Sequence, residues 1–189
     1  MISSKRLVFL AYMLLLLSFV YSAFMLYKNY YFDVLAELYF YTGIFALGFC
    51  FLSLFFALFK FKKCKKLPRL FGIFAFIWAL LHFLAYFIFS KHLSFEKLFY
   101  SIFSYGIEFS GFLSFVLMFF MFLASFSFFK RLKFSLKFGY VLLFLVSLHY
   151  FLSAKVPEIW HFISLFLAFL FLCLRYKKLA SILIKTLKN

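Results

Sequence analysis

The stretch Pro68–Tyr86, PRLFGIFAFIWALLHFLAY, decides how this chain is read. It opens out of the basic run Lys65-Lys66-Leu67-Pro68-Arg69 and then stays apolar for the length of a membrane crossing. Helix rises at about 1.5 Å per residue, so roughly 20 apolar residues cover a hydrocarbon core of about 30 Å. Inside that run sits one ionisable side chain, His82. An imidazole in hydrocarbon needs a partner, because an unpaired polar group there costs several kcal/mol. An ionisable residue inside a membrane span is by default a functional-site hypothesis. The question is therefore what faces His82.

The remainder of the chain has the same character. Of 189 residues, 68% are hydrophobic, with a mean hydropathy of +1.09, more apolar surface than a soluble domain of this size could hide. The fold class is all-α: a polytopic membrane protein, read as a single domain over 1–189 with six transmembrane helices. The spans fall at about 7–27, 38–59, 70–89, 111–129, 138–154 and 159–174. The faint cleavage-like Tyr21-Ser22-Ala23 is outweighed by the full-span length of the first run, which reads as a retained helix. The 38 Phe residues read as lipid-facing filler. Cys50, Cys64 and Cys173 form no CxxC pair, so neither a disulfide nor a zinc site is expected. No internal repeat is evident.

The net charge of +16 would suggest nucleic acid in a soluble protein. Its distribution argues otherwise. The N-terminus, the loops at Lys60–Arg69 and Lys130–Lys137, and the tail hold 17 of the 21 Lys and Arg. All five acids, Asp33, Glu37, Glu96, Glu108 and Glu158, fall on or near the opposite side. The positive-inside rule puts both termini in the cytoplasm, and the basic loops are expected to meet anionic membrane lipid, not nucleic acid. Tyr27, Tyr30 and Tyr31 suggest an outer aromatic belt. Thr42-Gly43 and Gly48 are small residues that allow helices to approach closely. Phe95, Leu98, Phe99, Ile102 and Phe103 are spaced as in a short amphipathic helix lying in the interface, and the Leu/Lys tail is expected to lie on the membrane surface.

A second histidine, His149, sits in the fifth span. His82 lies 13 residues beyond Arg69, and His149 lies 12 beyond Lys137. Both spans enter from the cytoplasm, so each imidazole stands about 18–20 Å beyond the inner basic band, in the outer half of the membrane. Two neutral imidazoles facing each other at one level would suit axial coordination of a b-type heme. A lone hydrogen bond from each to a neighbouring carbonyl, or a proton path, fits the same spacing. Each ligating ring would need a partner for its second nitrogen, for which Ser147 and Tyr150 are the nearby candidates. His92 and His161 lie at the outer boundary and read as interfacial, wetted histidines, with a role as alternate ligand or in partner contact as the other reading.

Several short motifs together resemble the MsrQ (YedZ) family, heme-binding membrane subunits within the ferric-reductase-like transmembrane group. They are Arg69-Leu70-Phe71-Gly72 through Trp78 to Leu81-His82 and Tyr86, then Thr42-Gly43, Leu148-His149-Tyr150 and Leu174-Arg175-Tyr176-Lys177-Lys178-Leu179. The resemblance covers most of the chain. It implies a bacterial inner-membrane electron-transfer subunit with heme b on His82 and His149 as iron ligands, and FMN has been described in the family. Electrons would come from the quinone pool, as quinol, or from a flavin donor. They would go to a periplasmic molybdopterin-containing methionine-sulfoxide reductase catalytic subunit that repairs oxidised envelope proteins. Two family histidines are missing here: Leu136 stands 13 residues before His149, and Phe40 precedes the Thr-Gly pair. One heme near the outer face is therefore expected. The chain offers no Ser-His-Asp set, Gly-rich phosphate loop or intramembrane carboxylate pair, so substrate chemistry would fall to the partner. The alternatives are a free-standing ferric or quinone-linked reductase, and a non-redox transporter or assembly factor.

Overall fold

The computed structural model describes residues 4–29, 33–59, 61 and 64–187, so Tyr30 and Tyr31 of the expected belt lie outside the described residues. The elements are α1 (Ser4–Lys28), α2 (Val34–Phe59), α3 (Leu67–Ala85), a π-helical turn (Tyr86–Ser90), α4 (Phe95–Ser104), α5 (Gly106–Ala124), a 3₁₀ stretch (Ser127–Phe138), α6 (Gly139–Ser153) and α7 (Ile159–Leu187). Six of the described helical segments are long and apolar enough to cross a membrane.

The bundle core is α2, α3, α5 and α6, with α2 against α3 and α5 against α6. Helices α1 and α7 pack on its flanks: 39% of the apolar window of α2 is buried, against 6% for α7. Trp78 locks α1 to this core. Its ring is stacked between Phe19 at 4.4 Å and Phe45 at 5.1 Å, and its indole N–H donates to Ser18 Oγ at 3.1 Å. Burying an indole that also satisfies its one donor is the arrangement an aromatic of this size favours in an apolar interior.

At the outer end, α3 loosens into the π-helical turn four residues after His82, a local irregularity common near functional sites. The chain then reverses through His92 and Leu93, whose φ angles of 51° and 59° lie in the left-handed region at a cost of about 1–2 kcal/mol each. Helix α4 follows, capped by Ser94, whose hydroxyl accepts the Lys97 N–H. Leu98 and Ile102 of α4 are buried, while Phe95, Phe99 and Phe103 stay exposed, as an interfacial helix requires. Ser101 and Tyr86 pair their hydroxyls at 3.3 Å and tie α4 to the end of α3.

Two expectations are corrected here. The fourth span begins at Gly106, not Gly111, because Glu108 sits within its first turn, where the helix dipole favours a carboxylate. The tail is not a separate surface element: α7 runs on as one helix to Leu187.

Candidate functional site

His82 on α3 and His149 on α6 come together at the outer end of the bundle, with ring centres 6.4 Å apart and ring planes 82° apart. Each is held from the neighbouring helix in the same way. His82 Nδ1 lies 3.1 Å from the Tyr39 carbonyl and 3.0 Å from Thr42 Oγ1, both on α2. His149 Nδ1 lies 3.0 Å from the Ile107 carbonyl and 3.2 Å from Ser110 Oγ, both on α5.

These contacts fix the tautomers. Thr42 Oγ1 donates its own proton to the Leu38 carbonyl at 2.6 Å, and Ser110 Oγ donates to the Ile107 carbonyl at 2.7 Å. Each hydroxyl therefore turns a lone pair toward the imidazole, and each Nδ1 faces two acceptors and no donor. Nδ1 must carry the hydrogen in both rings, which leaves the lone pair on Nε2. No described residue takes either Nε2. An imidazole that donates Nδ1–H to carbonyl or hydroxyl oxygen and presents a bare Nε2 is the form that binds a metal.

The glycines explain how the rings fit. A Cβ built on Gly43 would meet His82 Cε1 at 3.4 Å. One built on Gly111 would meet His149 Cε1 at 2.6 Å, a distance real side chains do not tolerate. Each ring lies against the bare backbone of a glycine that directly follows the hydroxyl residue.

The likeness extends along both hairpins. Thr42-Gly43 on α2 pairs with Gly72 and His82 on α3, and Ser110-Gly111 on α5 pairs with Gly139 and His149 on α6. Each histidine stands ten residues after its helix's glycine. The bundle core is thus a repeated hairpin, contrary to the expectation of no repeat. The expected partners of the second ring nitrogen are also corrected. Ser147 Oγ is buried with no partner among the described residues, and Tyr150 instead stacks on His161 at 4.4 Å. Sequence reading singled out Thr42-Gly43 but missed Ser110; the hydroxyl-Gly pair recurring before each histidine was the available signal.

Both histidines line a cavity of about 470 Å³, with Tyr39, Phe83, Tyr86, Phe115 and Val146 among its walls. Glu108, Tyr150 and His161 also border it. His161 Nδ1 accepts the Glu158 N–H at 3.0 Å, so this ring keeps to the outer boundary. His92 is not among the lining residues. A second cavity, of about 390 Å³, lies between the same four helices near the basic loop residues Lys65 and Arg69, and Leu136 is in its wall. Met118 of α5 lines both.

A metal held between the two Nε2 atoms would need about 2 Å per metal–nitrogen bond and roughly 1.1 Å from each nitrogen to its ring centre, about 6.3 Å in all. The observed ring separation of 6.4 Å leaves room for one metal atom that His82 and His149 would hold between them. Among the described residues, no cluster of three or more His, Cys, Asp or Glu could enclose a bare ion, so the other ligands would have to come with the metal.

These features define a multi-pass membrane protein with a paired-histidine chamber at the end of the bundle away from its basic loops. Residues 58–138 match the family described as ferric reductase like transmembrane component. The matched segment contains His82 and Ser110-Gly111 and stops before His149. No curated protein and no solved structure matches the chain.

Proposed function

We propose that the chain is a membrane electron-transfer subunit that holds one heme b between His82 and His149. The observation that carries this reading is the pair of fixed tautomers, two bare Nε2 atoms on rings 6.4 Å apart across an apolar chamber. Bound there, the heme would supply a one-electron carrier. The chain's own residues bind and orient: Tyr39 and Ile107 carbonyls with Thr42 and Ser110 hydroxyls aim the rings, and Phe83 and Phe115, stacked at 4.6 Å, exclude water from one wall. The inner cavity has no histidine in its described lining, which favours one heme over two.

The physiological reading follows the resemblance. Electrons come from quinol or a flavin donor, FMN included, and pass at the periplasmic face of a bacterial inner membrane to a molybdopterin-containing methionine-sulfoxide reductase. Placement of the histidines near the outer face favours a donor role toward that side. A free-standing ferric or quinone-linked reductase would use the same chamber without that partner. Reduced-minus-oxidised spectra of the purified protein test the heme: a b-type signal is expected, and its absence removes the proposal. Reoxidation of the reduced protein by a molybdopterin sulfoxide reductase plus methionine sulfoxide, compared with ferric citrate alone, separates the two physiological readings.

A further inference from the structure

The cavity on the cytoplasmic side is not used by the paired histidines. It is bounded by α2, α3, α5 and α6, and its interior wall is apolar or small: Leu54, Ala57, Gly72, Ala75, Met121 and Leu142. Two cations stand in its lining, Lys65 in the turn before α3 and Arg69 in the first turn of that helix. From Arg69 to Ala75 the lining extends about 9 Å along α3, inward from the basic band.

The polar groups of this cavity select the ligand. Ser53 Oγ already donates to the Pro68 carbonyl at 2.7 Å, and Ser125 Oγ to the Met121 carbonyl at 3.1 Å. Neither hydroxyl proton is left for a neutral carbonyl head. The strong donors that remain are Lys65 and Arg69. None of the chain's five Asp and Glu residues, Asp33, Glu37, Glu96, Glu108 and Glu158, lines this cavity. Among the described residues neither cation has an ion-pair partner. Both are exposed and so open to an anion from outside the chain, and the apolar cavity beside them suits one carried on an apolar body.

We propose that this cavity is a binding site for one anionic phospholipid of the inner leaflet. Its phosphate sits against Arg69 and Lys65, and the head-proximal part of one acyl chain fills the space between the two hairpins. Arg presents a planar fork suited to phosphate, and Arg69 is exposed at the mouth of the cavity, where a headgroup could reach it. The lipid supplies packing that the small residues Ala57, Gly72 and Ala75 leave open.

The test is thermal unfolding of the full chain in mild detergent, titrated with phosphatidylglycerol or with phosphatidylcholine of the same acyl composition. Phosphatidylglycerol is expected to raise Tm saturably by about 5 °C or more, and phosphatidylcholine much less. The double variant Lys65→Gln/Arg69→Gln should lose that difference. Ala57→Phe, which fills the cavity and leaves the charges intact, should lose it as well. Lys133→Gln/Lys137→Gln, on the other basic segment, should keep it. Equal effects of the two lipids on the wild type overturn the proposal without any variant. So does full retention of the effect in Ala57→Phe, which would put the lipid on the surface, or stabilisation by a short-chain quinone or FMN in place of phosphatidylglycerol. A missing heme spectrum would leave this result untouched, since the cavity does not involve His82 or His149.

Discussion

The two halves of the outer chamber do the same job with different tolerances. On the α2–α3 side, His82 rests on Gly43 with room to spare: an added Cβ would stand in ordinary contact at 3.4 Å. On the α5–α6 side, His149 presses into Gly111, and an added Cβ would fall 2.6 Å from Cε1 and 3.0 Å from both ring nitrogens. The hydrogen bonds are nearly equal, 3.1 and 3.0 Å to carbonyls and 3.0 and 3.2 Å to hydroxyls. Orientation is thus shared equally, while space is not. The α6 ring has one place to be, and the α3 ring has some latitude.

That contrast can be broken from the largest effect downward. His82→Ala and His149→Ala should each abolish the b-type absorbance of reduced membranes. Normal heme content in both would end the ligand assignment. Gly111→Ala comes next. It must displace the His149 ring or its helix, at about 1–3 kcal/mol, so heme affinity should fall roughly 5- to 150-fold or the bound form turn high-spin. Gly43→Ala should stay within about twofold of wild type on this count. Equal behaviour of the two glycine variants in the same spectra would erase the asymmetry.

Thr42→Val and Ser110→Ala test the equality instead. Each removes one of two acceptors and leaves the carbonyl, and loss of such a supporting partner costs about 10-fold in metal-site affinity. The two should therefore lose heme at similar rates, measured by transfer to apomyoglobin, and Thr42→Ser should restore the wild-type rate. The smallest effect belongs to Ser147→Ala. Its hydroxyl is buried without a partner, and its counterpart two residues before the other histidine is Leu80. Replacing an unsatisfied polar group by an apolar one should leave the spectrum unchanged and raise stability by about 1 kcal/mol, read as a Tm shift of about 2–4 °C.

The spans and the matched depth of the two histidines were legible in the sequence. Hydropathy marks a crossing, and counting residues from Arg69 and from Lys137 gives depth, because a helix advances by a fixed rise. Partners across helices were not legible. Ser147 and Tyr150 share a helix with His149, and residues one or two positions apart point to different faces of a helix. The acceptors at Ser110 and Ile107 come from α5, and only packing brings them to the ring. The repeated hairpin escaped notice because it survives in a hydroxyl-Gly pair, one further glycine and a histidine per half, set in Phe and Leu that carry no pattern. The start of α5 was misplaced by reading Glu108 as loop, when a helix N-terminus is where a carboxylate is welcome.

Met118 lines both cavities, and among the described residues it is the one side chain that does. A single flexible thioether is therefore common to the walls of both chambers, and a change in its rotamer alters the shape of the two together.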